Sequence, residues 1–427
     1  MTPIEMLRER RLLEQVSDEE QLAKAFASGP VRLYAGFDPT ARSLHVGNFV
    51  PIMMLAHLQR AGHVPIAVVG GATGMIGDPS GRSSERQFLT PDELAQNEQA
   101  IHRQLARFLD FDGDRAATLV NNADWTRPIS YLDWLRDVGK HFSVNAMIAK
   151  ESVRRRLEDR DQGISYTEFS YMLLQAHDFL VLHDRLGCTL QVGGNDQWGN
   201  ITAGIDLIRR KRGAEVFGVT APLITTSTGE KFGKSAGNAV WLDAAMTSPY
   251  HFYQYWIQTP DSDVERYLRL FTFLGIPEIV EICRVHEEQK SARVAQRTLA
   301  REVTRTVHGE AGLHSAELAT EILFGREISG LSDAELSGVF ADVPSASLSR
   351  QALSEGLDIV TLLTATELAK SKGEARRIVQ AGGVYLNNRR FENVETPITS
   401  ADLASETMLV LRSGKKSYAI VRFGELG

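Results

Sequence analysis

The sequence of 427 residues has only two cysteines, no long hydrophobic run and no apolar leader, and these absences exclude several classes of protein. Cys188 and Cys283 allow at most one disulfide and exclude a four-cysteine zinc site. No apolar stretch approaches the ~20 residues of a transmembrane helix. Charges also interrupt the N-terminal MTPIEMLRERR, where a signal peptide is apolar. We therefore expect two buried, reduced thiols, a cytoplasmic location and no membrane contact.

Two common nucleotide-binding signatures are missing as well. The first predicted strand is followed by GFDPT rather than by the GxGxxG fingerprint of dinucleotide-binding folds. This absence excludes a nicotinamide-dependent dehydrogenase. The segment KFGKS at 231–235 resembles the end of a P-loop, but the required first glycine is replaced by Thr228. A loop with two lysines can still clamp a phosphate chain, or it can be an ordinary solvated loop.

Composition and charge indicate a globular protein with an uneven surface. Hydrophobic residues make up 43% and charged residues 24%, which suffices for buried cores and excludes global disorder. The length favours about three domains. The net charge is −7, but the segment from residue 357 onward is mildly basic, which favours a polyanion contact at the C-terminus.

The first third of the chain predicts a βαβ unit. Residues 31–36 (VRLYAG) and 65–70 (PIAVVG) have the apolar character of strands, and residues 48–60 between them have that of a helix. Such a unit predicts an α/β fold with a parallel sheet covered by helices. The remaining predicted elements are helices at 90–109 and 165–182, strands at 118–121 and 188–193, and a mostly helical region at 248–324.

Three glycine-rich segments are candidates for ligand contacts. GFDPT and HVGN, within 36–48, lie between a strand and a helix, where free N–H groups suit a phosphate and Gly47 admits a flat base. GGATGMIGDPSG contains Asp78, which can bind an ammonium. QVGGNDQ follows a strand, where ligands bind in parallel sheets, and Asp196 can accept from ribose hydroxyls. Each of these segments can instead be a simple polar turn.

A polar stripe runs along the predicted helix at 165–182. Tyr171, Gln175 and Asp178 fall at i, i+4 and i+7, on one face of a helix that is otherwise apolar. Buried polar groups need partners. The stripe therefore predicts either an internal hydrogen-bond network or a pocket for a small polar ligand.

The C-terminal segment carries clustered bases on a predicted helix and the turn and strand after it. These suit an RNA backbone, although a solvated helix face is the alternative. The candidate RNA-binding residues are Lys370, Lys372, Arg376, Arg377, Arg389 and Arg390.

The order of these segments resembles the bacterial tyrosyl-tRNA synthetases, which are class I aminoacyl-tRNA synthetases, over almost the whole chain. YAGFDPTARSLHVGN is similar to the family's strand, loop and HIGH-type motif, and KFGKS is similar to its KMSKS-type motif. VGGATGMIGDPSG, VGKHFSVN, TEFSYMLLQAHDF and QVGGNDQWGNI are similar to further blocks in the same order. The C-terminal segment resembles an RNA-binding module shared with a ribosomal small-subunit protein.

The resemblance implies roles for individual residues. Tyr34 and Asp178 would contact the phenol hydroxyl of tyrosine. The remaining tyrosine contacts would be Asp78, Tyr171 and Gln175 around the ammonium, with Gln197 and Asn122 nearby. The ATP-binding residues would be Gly36, Asp38, His45, Gly47, Asn48, Gly194, Asp196 and Lys234. The catalytic residues acting on the phosphates would be Thr40, His45, Asn48, Lys231 and Lys234.

The resemblance also implies an organisation and partners. A Rossmann-like catalytic domain with an inserted dimerisation segment would span 1–230, the KMSKS-type loop and an α-helical anticodon-binding domain 231–335, a linker 336–356, and the small α+β RNA-binding module 357–427. The implied activity is tyrosine–tRNA ligation. The implied partners are L-tyrosine, ATP, tRNA(Tyr) and a second copy of the chain, but not DNA. Mg²⁺ would be bound mainly through the ATP phosphates, without a metal site in the protein.

One position departs from the family pattern. Asn48 stands where the HIGH-type motif usually has histidine, and an amide can donate the same kind of hydrogen bond but carries no positive charge. Two alternatives stay open, a tryptophanyl-type enzyme and an RNA-binding relative without catalysis. The Tyr34/Asp178 pair argues against the first, and the joint presence of His45, Asp196 and the two lysines of KFGKS argues against the second.

Overall fold

The computed structural model describes residues 1–78, 90–158, 163–225, 232–235, 238–340, 343–414 and 417–424. These residues form two compact units. Unit 1 comprises Met1–Thr247 and Gln254–Val307, and unit 2 comprises Ser248–Tyr253 and His308–Gly427.

Unit 1 is built on a sheet whose strands run in the order β1-β6-β5-β2-β3-β4. β2 to β6 are parallel to their neighbours, whereas β1 pairs antiparallel with β6. A separate antiparallel pair joins β7 and β8. The strands of unit 1 are β1 Gln15–Val16, β2 Arg32–Phe37, β3 Val64–Val69, β4 Thr118–Asn121, β5 Leu190–Gly194, β6 Phe217–Ala221, β7 Lys234–Ser235 and β8 Asn238–Ala239.

Helices follow most of these strands and cover the sheet. They are α1 Pro3–Glu9, α2 Glu19–Ser28, α3 Phe49–Arg60, α4 Thr73–Ile76, α5 Pro91–Leu105, α6 Ala123–Thr126, α7 Tyr131–Asp137, α8 Val144–Ile148, α9 Glu151–Glu158, α10 Tyr166–Leu186 and α11 Trp198–Arg212. Farther along the chain follow α12 Pro249–Ile257, α13 Asp261–Phe271, α14 Ile276–Glu288 and α15 Val294–Leu323. α12 and α15 each contribute residues to both units.

The predicted βαβ unit and the parallel sheet are confirmed. β2, α3 and β3 each begin and end within two residues of the predicted bounds. All six residues of β3 (VPIAVV) are buried, as expected for an inner strand covered on both faces. The order of strands reverses between β2 and β5, because the chain continues from β2 to β3 on one side and β5 lies on the other. In such sheets ligands bind beyond the carboxyl ends of the strands at this reversal.

Unit 2 contains a sheet with the strand order β11-β10-β12-β13-β9. β9 pairs parallel with β13, and the other neighbours are antiparallel. The elements after α15 are α16 Asp333–Val339, β9 Ser345–Ser349, α17 Gln351–Ser354, α18 Ile359–Ala365, α19 Lys372–Gln380, β10 Val384–Leu386, β11 Arg389–Arg390, β12 Met408–Ser413 and β13 Ser417–Gly424.

Both faces of this second sheet are buried. Leu409 of β12 and Val421 of β13 pack into a core with α18 and α19. Val410 and Ile420, which alternate with them, pack into another core with α16 and the last turns of α15. The sequence predicted a linker at 336–356. The structure differs, because this segment contains the end of α16, the strand β9 and α17.

None of the helices that the structure describes is long and apolar enough to cross a membrane.

Replacing Leu409 or Ile420 by alanine is expected to lower the free energy of unfolding of unit 2 by about 2–5 kcal/mol each, because each change leaves a cavity in one of the two cores. Hydrogen exchange of the β12 and β13 amides in the full chain, together with urea unfolding, measures the loss. The exposed Glu395 supplies the control, Glu395→Ala, with an expected change within about 0.5 kcal/mol. An Ile420→Ala variant as stable as this control would contradict burial of the second face.

Candidate active site

The described residues predicted to bind tyrosine and ATP all lie in unit 1, many of them at or near the carboxyl ends of its parallel strands. Tyr34 and Gly36 lie in β2, Asn122 directly follows β4, and Gly194 ends β5. α10 carries the polar stripe that the sequence predicted.

Asp178 is the buried carboxylate of this site, with 4% of its surface exposed. Its Oδ2 accepts a hydrogen bond from Asn122 Nδ2 at 2.9 Å, and its Oδ1 accepts one from the indole Nε1 of Trp125 at 2.7 Å. Burial raises the pKa of Asp178 to about 7, against the lowering effect of these two donors, and the charge of Asp38 raises it further. A carboxyl group with this pKa can exist in either protonation state near neutrality.

Tyr34 presents a buried hydroxyl beside this carboxylate. Its ring packs against Phe179 with 5.2 Å between centroids. Its Oη is buried and has no hydrogen-bond partner among the residues that the structure describes. Burial raises the pKa of the Tyr34 phenol well above its usual range, and the charge of Asp178 adds to the effect. An orphaned buried hydroxyl is costly unless a ligand supplies the partner.

A chain of hydrogen bonds continues from Asn122 towards β2. Asn122 Nδ2 also donates to Thr73 Oγ1 at 2.9 Å, and Thr73 Oγ1 donates to Asp38 Oδ1 at 3.0 Å. The other carboxylate oxygen of Asp38 accepts from Tyr171 Oη at 3.3 Å. Gly70 is required beside this chain, because a Cβ there would lie 2.3 Å from Asp38 Oδ1.

A second set of polar groups surrounds Asp78. Gln197 Nε2 donates to Asp78 Oδ2 at 2.7 Å, and Gln175 Nε2 donates to Gln197 Oε1 at 3.2 Å. Asn200 Nδ2 in turn donates to Gln175 Oε1 at 3.0 Å. This arrangement brings carboxylate and amide oxygens together. Such oxygens accept the hydrogen bonds that an ammonium group donates.

Gly194 and Asp196 lie at the end of β5. A Cβ at Gly194 would lie 2.6 Å from Asp196 Oδ1, so glycine leaves the space that this carboxylate occupies. Burial raises the pKa of Asp196, and the charge of Asp78 adds to the effect. Gly36 and Thr40 are exposed near the end of β2, and a Cβ at Gly36 would meet no atom of the described residues within 4 Å.

The HVGN motif forms a capped 3₁₀ turn at the start of α3. His45 Nδ1 accepts from the Gly47 N–H at 2.9 Å, and Asn48 Oδ1 accepts from the His45 N–H at 3.1 Å. A Cβ at Gly47 would lie 2.6 Å from His45 Cε1, so the ring requires glycine there. Because Nδ1 accepts, a neutral His45 ring carries its proton on Nε2. Asn48 therefore has a capping role that the sequence analysis did not anticipate.

The KFGKS segment approaches this turn through its glycine. A Cβ at Gly233 would lie 3.1 Å from the Gly47 nitrogen, and the φ of +86° at Gly233 also favours glycine. Val240 joins the two segments, because its carbonyl accepts from the Val46 N–H at 2.9 Å and its own N–H donates to the Gly233 carbonyl at 2.9 Å. The predicted Lys231 lies outside the described residues, and Lys234 is described only through its backbone, in β7.

The candidate RNA-binding residues all lie exposed in unit 2. Lys372, Arg376 and Arg377 belong to α19, and Lys370 precedes it. Arg389 pairs with Glu327, and the Arg390 side chain donates to the Gly382 carbonyl at 3.1 Å. The last two arginines are therefore partly engaged within the protein.

Sequence reasoning missed Trp125, Thr73 and Asn200. Asn122 caps the short helix α6 and Trp125 follows it by three positions, which is about one helical turn, so this spacing was an available signal. Thr73 lies in the glycine-rich segment GGATGMIGDPSG, in which the sequence analysis considered only Asp78. Among the described residues, no group of three or more His, Cys, Asp or Glu side chains is placed to hold a metal ion.

Comparison with known proteins identifies the family of the chain. The family model of tRNA synthetases class I (W and Y) matches residues 27–325, and that of the tyrosine–tRNA ligase SYY-like C-terminal domain matches residues 335–421. A tyrosine–tRNA ligase of Rhodopirellula baltica is 54% identical, over 98% of this chain and 96% of its own. One of Opitutus terrae is 51% identical, over 99% of this chain and 100% of its own.

A solved structure leads to the same family. The C-terminally truncated mitochondrial tyrosyl-tRNA synthetase of Aspergillus nidulans is 35% identical, with a TM-score of 0.68. The match covers 76% of this chain and 94% of that one. The chain therefore belongs to the class I tRNA synthetases (W and Y), and among these to the tyrosine–tRNA ligases.

Proposed function

We propose that this chain activates L-tyrosine with ATP, forming tyrosyl-adenylate and pyrophosphate, and then transfers tyrosine to the 3′ end of tRNA(Tyr). The observation that carries this proposal is the orphaned Tyr34 hydroxyl beside the buried Asp178 carboxylate. Together they form a polar pair in otherwise apolar surroundings, a setting that suits a phenol. The phenol hydroxyl would donate to Asp178 and pair with the Tyr34 hydroxyl.

The ammonium of tyrosine would bind at the opposite end of the pocket. Asp78, Tyr171 and Gln175 are the proposed contacts, with Gln197 and Asn122 nearby. The hydrogen bonds that connect Gln197 to Asp78 and Gln175 support this assignment, because they hold the acceptor groups in place without any ligand. A site with polar groups at both ends and apolar side chains between them fits a ligand that has polar groups at its two ends and an apolar ring of matching length in the middle.

The chemical step is displacement at phosphorus. One oxygen of the tyrosine carboxylate attacks the α-phosphorus of ATP, and the bond to the bridging oxygen breaks as pyrophosphate leaves. The carboxylate is already anionic at neutral pH, so the step needs no general base. Catalysis then consists of positioning the reactants and stabilising charge on the phosphates.

The proposed phosphate contacts are Thr40, His45, Asn48, Lys231 and Lys234. The acceptor role of His45 Nδ1 supports a donor role for Nε2. The approach of Gly233 to Gly47 supports joint action of the two motifs on one phosphate chain. Mg²⁺ would be held largely by the phosphate oxygens of ATP, which are the hard ligands that it prefers.

The nucleoside of ATP would lie along three glycines of the site. Gly36, Gly47 and Gly194 are proposed to lie against it, Asp196 to accept from the ribose hydroxyls, and Asp38 to contribute nearby. After adenylate formation, a hydroxyl of the terminal ribose of tRNA attacks the carbonyl carbon, and AMP leaves. We assign the tRNA backbone contacts to Lys370, Lys372, Arg376 and Arg377, with smaller contributions from Arg389 and Arg390, which are partly engaged within the protein.

We also propose that the chain forms a homodimer. Tyr131, Leu132 and Leu135 of α7 and Val144 of α8 are exposed apolar side chains, and Leu132 is 76% exposed. The Tyr131 hydroxyl lies 3.4 Å from that of Tyr166, so the apolar surface continues to α10. Contiguous apolar surface of this kind marks an interaction site. The two free cysteines fit a reducing, cytoplasmic setting.

Asp178→Ala is expected to abolish most of the preference for tyrosine over phenylalanine, because it removes the acceptor of the phenol hydroxyl. The measurement is exchange of labelled pyrophosphate into ATP with tyrosine, phenylalanine and tryptophan in parallel. The wild-type chain should support exchange with tyrosine alone. Asp184→Ala, on the exposed side of the same helix, is the control and should keep the preference. Undiminished discrimination in Asp178→Ala would refute the assignment.

The pH dependence of tyrosine use should follow the ionisation of Asp178, whose pKa burial raises to about 7. Raising the pH through this value ionises the carboxyl group and strengthens it as an acceptor. The kcat/KM for tyrosine should therefore rise from about pH 5.5 and level off by about pH 8.5, since kcat/KM reports the free enzyme. Asp178→Asn should flatten this rise. Superimposable profiles for the two proteins would contradict the role of Asp178.

Leu132→Asp should convert the dimer to a monomer, because it introduces a charge into the centre of the apolar surface. Analytical ultracentrifugation across a concentration series measures the change in mass. Val280→Asp serves as the matched control, since Val280 is also exposed but lies on α14. A wild-type chain that sediments as a monomer throughout the series would disprove the dimer.

A further inference from the structure

The segment before α2 is tied to the edge of the catalytic sheet. In β1, Gln15 pairs with Thr220 and Val16 with Val219. The Ser17 N–H donates to the Gly218 carbonyl at 3.0 Å, and the Gly218 N–H donates to Ser17 Oγ at 3.0 Å. These bonds hold Gln15 at a defined position beside β6.

The Gln15 side chain reaches the turn that follows β5. Its Nε2 donates to Asn195 Oδ1 at 2.6 Å, and Thr220 Oγ1 donates to the same oxygen at 3.2 Å. Asn195 lies between Gly194 and Asp196 and begins the 3₁₀ turn Asn195–Gln197. The Asn195 side chain is thus anchored to two strands, β1 and β6.

The neighbours of Asn195 differ in how they are held. Gln197 has its own hydrogen bonds to Asp78 and to Gln175. Asp196 directly follows Asn195, so its backbone position depends on the anchor of that residue. The Asp196 carboxylate also interacts with the side chain and backbone of Gln197. Loss of the Asn195 anchor should shift the Asp196 backbone, whereas Gln197 keeps its contacts with Asp78 and Gln175.

We propose that Gln15 is a positioning residue for the nucleotide side of the site. It holds Asn195 and thereby orients the Asp196 carboxylate towards the ribose of ATP. This inference rests on the role of Asp196 under the proposed function. It gives a part in ATP binding to a residue that lies near the N-terminus and outside the motif blocks.

The test compares Michaelis constants for the two substrates in pyrophosphate exchange by the full chain. Gln15→Leu removes the donor and nearly keeps the size. It should raise the KM for ATP by about three- to tenfold, the range expected for one hydrogen bond, and leave the KM for tyrosine within about twofold. Gln21→Leu, on α2, is the matched control and should change neither constant.

A second pair of variants separates positioning from stability. Thr220→Val removes the weaker donor and leaves the Gln15 donor in place. Combining it with Gln15→Leu removes both hydrogen-bond donors from Asn195 Oδ1. The double variant should therefore raise the KM for ATP by more than the product of the two single effects. Melting temperatures of all variants are recorded alongside.

The outcomes distinguish this inference from the function on which it rests. Absence of exchange in the wild-type chain would refute the proposed function. If the wild-type chain is active and Asp196→Asn raises the KM for ATP, the role of Asp196 stands. An unchanged KM for ATP in Gln15→Leu, equal rises for ATP and tyrosine, or a lowered melting temperature alone would then overturn the positioning role of Gln15.

Discussion

Burial of one carboxylate, that of Asp178, constrains much of unit 1. A charge in this position is unfavourable unless donors surround it, and the donors come from Asn122 and Trp125. Both donors follow β4, at the edge of the sheet, whereas Asp178 belongs to α10. The helix can therefore satisfy its carboxylate only when it lies across the ends of the strands. The same placement puts Gln175 and Tyr171, one and two turns earlier, beside the other polar groups of the site.

The glycines of the motifs make room for side chains of the protein as well as for a ligand. A Cβ at Gly47 would meet the His45 ring, one at Gly70 would meet Asp38, and one at Gly194 would meet Asp196. The sequence analysis explained such glycines by the approach of a ligand. In the structure, the immediate neighbour is in each case a polar side chain that the glycine allows to fold back. Replacing one of these glycines by a residue with a Cβ would therefore displace the polar side chain beside it.

Local patterns predicted the elements whose partners are near in sequence. β2, α3 and β3 were found because each is a short, largely apolar run, and the stripe on α10 was found because helical spacing is regular. β9 (SASLS) was missed because it is small and polar and pairs with β13, 75 residues later, which no local pattern reveals. The continuous apolar runs in β12 and β13 did carry the signal that both faces are covered.

The two ends of the site differ in what holds them. Tyr34 is part of a central strand, and Asp178 part of a long helix, so the phenol end is built on rigid elements. The groups assigned to ATP lie on turns, at His45–Asn48 and Gly194–Gln197, which are short and depend on neighbours for their shape. Those neighbours include Val240 and, through Asn195, Gln15 at the far edge of the sheet. Under the proposed assignment, recognition of the amino acid would be determined within the core, whereas the nucleotide side would depend on contacts between segments distant in sequence.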